Sequence, residues 1–166
     1  MTKRPLWDSW PDSVSWRPVS PNYRHVRLLG LAIGGIPFGV VVAAAVWMWQ
    51  GRTWAAIAAG AVLAFLALRA IVIGRAVRAW GYAERDDDLL IRHGLWTKRL
   101  SIVPYGRMQF IDISSGPVDR LFGLAMVKLH TASAGSDSTV PGLAPDVAAG
   151  LRDRLAERAK SEREGL

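Results

Sequence analysis

Six cations, Arg92, Lys98, Arg99, Arg107, Arg120 and Lys128, are spread through the second half of the chain among residues with strand-like alternation. Gathered on one surface they would meet the negative potential of an anionic leaflet, where a juxtamembrane cation contributes about 1 kcal/mol. The same charges suit a solvated strand face that resists aggregation. A specific lipid-headgroup site is the third reading, and the residue types leave all three open. Nucleic acid is not expected as a partner, because neither a stacking platform nor a recognition helix accompanies the charge. Asp86, Asp87 and Asp88 form an acid cluster without the Gly and Glu of a calcium loop, so a hairpin turn is expected there. His25, His93 and His130 are far apart and outside any HExxH pattern. Ser114 and Ser115 lack a GxSxG frame, and the stretch from Gly116 to Gly123 lacks the Lys and Ser/Thr of a phosphate loop. The chain contains no cysteine, which excludes disulfides, thiolate metal sites and a thiol nucleophile. No catalytic residue, metal ligand or cofactor is assigned, and a non-enzyme is expected.

The elements that must position these residues follow from the distribution of charge. Within 166 residues of net charge +7, positions 28–49 and 53–68 carry no charged side chain. The block 28–49 forms a first transmembrane helix of roughly 33 Å, enough for a hydrocarbon core of about 30 Å. Residues 50–53 form an extracytoplasmic turn and 54–74 the second helix. Its one charge, Arg69, lies near the Arg75 and Arg78 end and can snorkel to the headgroups; a functional charge in a pore is the sharper alternative. Five Lys or Arg precede the first span, against Arg52 alone in the turn, which places both termini in the cytoplasm and the protein in the cytoplasmic membrane. Trp47, Trp49 and Trp54 around the turn and Trp80 and Tyr82 beyond the second span fit aromatic belts. The small residues Gly30, Gly34, Gly35, Gly39, Ala56, Gly60 and Ala64 fall at four-residue spacing, which suits close helix packing, foremost within the hairpin. Pro37 is a candidate kink.

The head, 1–27, combines four prolines with three tryptophans and is expected to be irregular, either a membrane-surface tail or a partner-binding peptide. From residue 75 a cytoplasmic domain is expected. Its strands are read at 80–84, 89–92, 97–103, 108–114 and 126–131, with one helical turn at 118–122, a polar loop at 134–138 and a short last strand at 139–140. Pro145 and Asp146 start a helix to about 161, on which Ala148, Leu151, Leu155 and Ala159 form one apolar stripe. The fold class is a membrane protein of α + β type: a two-helix hairpin, then a small antiparallel barrel or sandwich capped by a helix.

Several fixed pieces of this tail carry a resemblance. Gly94-Leu95 is followed by Val103-Pro104-Tyr105-Gly106-Arg107-Met108-Gln109, Gly116-Pro117, Arg120-Leu121-Phe122-Gly123-Leu124-Ala125, Thr131-Ala132 and Pro141-Gly142-Leu143. In order and spacing they resemble the membrane-bound bacterial pleckstrin-homology domains of the YdbS-like type, which also place two transmembrane helices before the domain. The resemblance covers roughly 28–160 and leaves the Trp-rich head outside. It implies a pleckstrin-homology-like barrel closed by a carboxy-terminal helix at the cytoplasmic membrane, without assigned enzymatic activity or catalytic residues to transfer. Fold does not fix function. The expectation is a membrane-anchored scaffold that docks a protein partner or the inner leaflet. Anionic-lipid recognition by the basic face is the alternative, and a membrane enzyme a remote third.

Overall fold

The computed structural model of the chain describes residues 14–131 and 138–164. Two long helices, α1 (Tyr23–Gln50) and α2 (Arg52–Arg78), pack side by side as an antiparallel hairpin. At about 1.5 Å per residue their 28 and 27 residues reach roughly 42 and 40 Å, longer than the hydrocarbon core. No residue of α1 is buried and only Val77 of α2 is, so these apolar helices are not core elements of a soluble domain. α1 runs through Pro37 and begins five residues before the apolar block, because no proline or glycine lies between Pro21 and residue 28 to delay its start. The turn is shorter than the expected 50–53. It is Gly51 alone, at φ 90° and ψ 179°, a backbone state glycine adopts without a Cβ penalty.

Beyond α2 the chain forms β2 (Gly81–Glu84), β3 (Asp88–His93), β4 (Arg99–Pro104), a 3-10 turn at Tyr105–Arg107, β5 (Met108–Ser114), α3 (Pro117–Leu121), β6 (Ala125–Thr131), β7 (Ser138–Leu143) and α4 (Pro145–Glu164). With the short strand β1 (Arg17–Pro18) before α1, the strands make two antiparallel sheets rather than a closed barrel: β1-β2-β3-β4 and β5-β6-β7. α4 packs on the 3-10 turn, β5 and β6, and its expected stripe of Ala148, Leu151, Leu155 and Ala159 is buried in one core cluster with Leu89, Val103, Tyr105, Val127 and Leu129. Full burial of Leu151 and Leu155 contributes about 1.5–3 kcal/mol each.

Three local expectations are corrected. The last strand is β7, six residues that include Pro141 and Gly142; proline is tolerated because β7 is the edge of its sheet. Asp88 is not a turn residue. It opens β3, only 8% exposed, and its carboxylate accepts two hydrogen bonds from Arg85 at 2.7 and 2.5 Å. The head is not irregular throughout: Arg17–Pro18 form β1, paired with Tyr82 and Gly81 at the edge of the first sheet, and Val19 is buried. The remainder of the head up to residue 13, and most of the polar loop expected at 134–138, lie outside the described residues.

Candidate functional site

Strand register gives the domain two distinct ends. Gly81 follows α2 almost directly and pairs with Arg92, so the end of β3, the start of β4, the end of β5, α3, the start of β6 and the end of β7 all lie on the hairpin side. Side-chain contacts confirm this end as the junction. Trp80 stacks on His93 with centroids 4.7 Å apart, and His25 in the first turn of α1 stacks on Phe122 at 5.9 Å. The Ser20 N–H donates to the Gly142 carbonyl at 2.8 Å. The segment entering α1 and the chain leaving α2 are thus both fastened to one end of one domain.

The six predicted cations divide between these ends. Arg92, Lys98, Arg99 and Arg120 lie at or near the hairpin end. Arg92 carries its guanidinium 4.6 Å from the Trp16 ring centroid; burial holds its pKa below the usual value, though arginine remains cationic. Arg99 is the register partner of His93, and Arg120 Nε donates to the Ser115 carbonyl at 3.1 Å. The other two are elsewhere. Lys128 lies mid-strand on β6 opposite Asp112, a cross-strand pair of opposite charge, and Arg107 closes the 3-10 turn at the far end.

The hairpin end also exposes apolar side chains that the sequence reading passed over. In the turn between β3 and β4, residues 94–98, Trp96 is 89% exposed, and Leu121 at the end of α3 is 77% exposed. The available signal was an apolar Leu95-Trp96 pair inside a turn, where polar residues are usual. Large exposed apolar side chains among cations are the composition of a membrane-surface contact.

Electrostatic ties elsewhere fix the domain's shape. Glu84 on β2 accepts two hydrogen bonds from Arg154 of α4, at 3.0 and 2.8 Å, and one from Arg17 of β1 at 3.2 Å. Burial pushes the Glu84 carboxyl up, but the Arg154 hydrogen bond and the charges of Arg154, Arg17 and Arg158 outweigh it and hold its pKa below the ordinary value. At the far end the Tyr105 hydroxyl donates to the Arg85 carbonyl at 2.9 Å, and Arg158 donates to that hydroxyl at 3.1 Å and to the same carbonyl. Burial holds His93 below its ordinary pKa, reinforced by the Arg99 charge. Among the described residues no three His, Asp or Glu side chains converge as a metal set.

The expected helix contacts also divide. A Cβ at Gly35 would collide with the Leu66 side chain and one at Gly39 would fall 2.8 Å from Val62, so these two glycines face α2. A Cβ at Gly30, Gly34 or Gly60 would meet no atom within 4 Å, which places these three off the intrahairpin contact. Spacing alone cannot say which of two adjacent glycines points inward, because one residue turns a helix by about 100°. Ala56 and Ala64 are exposed.

A fold with a membrane hairpin and a helix-capped pair of antiparallel sheets places the chain among membrane-anchored pleckstrin-homology-like proteins. It belongs to the bacterial PH domain family, whose model matches residues 24–159. It is 29% identical over 147 residues to the UPF0699 transmembrane protein YdbS of Bacillus subtilis (strain 168), covering 86% of this chain and 91% of that protein. No solved structure matches the chain. It is a membrane protein with two spans.

Proposed function

We propose that this protein is a non-enzymatic, membrane-anchored scaffold whose domain sits in the cytoplasm with its hairpin end held against the anionic inner leaflet of the cytoplasmic membrane. The observation that carries this reading is the coincidence, at the end fastened to both helices, of exposed Trp96 and Leu121 with Arg92, Lys98, Arg99 and Arg120. A tryptophan suits the headgroup zone, and nearby cations draw it to anionic lipid. The cytoplasmic side is supported by the excess of Lys and Arg before α1 over the single Arg52 near the turn. Hydrogen exchange of the full chain in nanodiscs tests the reading. The turn at 94–98 is protected in phosphatidylglycerol-containing discs and released by 0.5 M salt or by Lys98→Glu with Arg99→Glu. Equal exchange in anionic and zwitterionic discs would count against it.

A protein partner is the second reading, favoured by β4. Among the described residues this strand is the outer edge of its sheet, and it carries Leu100 and Ile102 exposed, so that edge can accept another strand. Crosslinks from β4 to a stoichiometric protein in native membranes would support it, and their absence would leave the leaflet alone as the docking surface.

A further inference from the structure

Charge along the hairpin is one-sided. Between Asp12 and Glu84 there is no acidic residue, while Arg17, Arg24, Arg27, Arg52, Arg69, Arg75 and Arg78 are all arginine and none is lysine. Arg69 is the outlier in depth. It stands fifteen residues from Trp54 along α2, roughly 22 Å into a hydrocarbon core of about 30 Å. A cation at that depth is costly unless its head reaches water, headgroups or an anion.

The structure gives it a place to reach. Arg69 and Arg27 line one small cavity of about 110 Å³ at the junction, together with Tyr23 and Trp80 and the apolar wall of Val72 and Ile73. Among the described residues neither arginine is paired with a carboxylate, and none is supplied by the sequence around them. Arg69 also lines a second, larger cavity of about 440 Å³ deeper in the hairpin, whose walls include Leu31, Gly35, Phe38, Phe65 and Leu66. This furrow is almost wholly apolar and reaches Phe38, eleven residues beyond Arg27, or roughly 16 Å along the helix. That is close to half the thickness of the hydrocarbon core, about 15 Å. A cationic notch at the membrane boundary therefore continues, through one shared arginine, into an apolar furrow as deep as one leaflet.

We infer that the hairpin carries a binding site for an anionic phospholipid of the leaflet on the domain's side, its phosphate held by Arg27 and Arg69 and an acyl chain lying in the furrow. Arginine suits this role because its planar fork can give a phosphate two parallel hydrogen bonds, where lysine offers a point charge. Trp80 connects the site to the domain, since this residue lines the notch and its ring stacks on His93. The site differs from the cations of Lys98 and Arg99 on the domain, and it stands whether or not those touch the leaflet.

Native mass spectrometry of the detergent-purified full chain, titrated with palmitoyl-oleoyl phosphatidylglycerol, tests it. One lipid is retained by the parent chain, and Arg69→Gln and Arg27→Gln each weaken retention about tenfold. Arg52→Gln at the opposite turn, and Lys98→Glu with Arg99→Glu on the domain, leave it unchanged. Ala61→Phe, which fills the furrow, weakens long-chain phosphatidylglycerol while leaving a dihexanoyl analogue unaffected. Parental retention in both arginine variants overturns the proposal. So does displacement of the lipid by equimolar inorganic phosphate, which would mark a free-anion site, or a lipid-free dimer filling the furrow. If far-UV circular dichroism shows that Arg69→Gln has lost helix, Arg27→Gln decides.

Discussion

Replacing Gly142 by alanine tests the junction on which the account rests. Gly142 has φ +66°, and a Cβ added there would fall 2.7 Å from the Cβ and 2.8 Å from the Cγ of Tyr23, in the first turn of α1. Its carbonyl also accepts the Ser20 N–H at 2.8 Å. A side chain in left-handed backbone costs about 1–2 kcal/mol. Overpacking against a ring that is anchored in a helix adds about 1–3 kcal/mol. The sum, roughly 2–5 kcal/mol, falls on the contact between hairpin and domain. Gly106 serves as the comparison, because it has no positive φ and a Cβ there would meet nothing within 4 Å. Gly106→Ala is expected to be neutral or slightly stabilising, by up to about 1 kcal/mol. Thermal unfolding of the full chain in detergent, followed by near-ultraviolet circular dichroism, reads the difference. With about 4–8 °C per kcal/mol for a domain of this size, Gly142→Ala lowers Tm by at least about 8 °C. A Tm within about 2 °C of the parent, or equal to that of Gly106→Ala, would refute the junction geometry.

Leu155→Ala removes a fully buried side chain of α4 and costs about 2–5 kcal/mol, measured as a lowered denaturant midpoint. Acid destabilises the domain in two windows. His93, with its folded pKa depressed, contributes stability that is present above its unfolded value of about 6.5 and lost as pH falls through the folded value, so His93→Gln flattens the Tm profile just below pH 6.5. Glu84, also depressed, contributes stability present above about 4.5 and lost below it, so Glu84→Gln removes that lower limb; a profile unchanged by either variant contradicts the assignment. Gly35→Leu and Gly39→Leu disrupt the pairing of α1 with α2, whereas Gly34→Leu does not, as read by crosslinking of cysteine pairs placed across the hairpin of this cysteine-free chain.

The elements legible in the sequence are those whose signal is local. The two spans stand out because lipid demands long uncharged helices, and α4 because Ala148, Leu151, Leu155 and Ala159 repeat at helical spacing. What escaped depends on partners distant in sequence. Arg17–Pro18 become a strand only because β2, more than sixty residues later, offers its edge. Pro141 and Gly142 lie beyond the short strand expected at 139–140, yet the edge position of β7 accommodates them. Asp88 looked like one of three turn aspartates until Arg85 folded back on it. For the candidate site, composition named the cations but not their grouping. Register brings Arg92, Lys98, Arg99 and Arg120 to the hairpin end and sends Arg107 to the other, and no periodicity in the sequence carries that information.

The most direct measurement is the depth of two spin labels in anionic bilayers, one replacing Trp96 and one replacing Asp86, introduced as single cysteines in the full chain. Trp96→Cys lies in the turn at the hairpin end, and Asp86→Cys lies between β2 and β3 at the far end. With the hairpin end against the leaflet, the label at 96 collides preferentially with oxygen dissolved in lipid, and the label at 86 with a water-soluble nickel chelate. Equal exposure of both labels to the nickel chelate would contradict it, placing the hairpin end of the domain in water rather than against the leaflet.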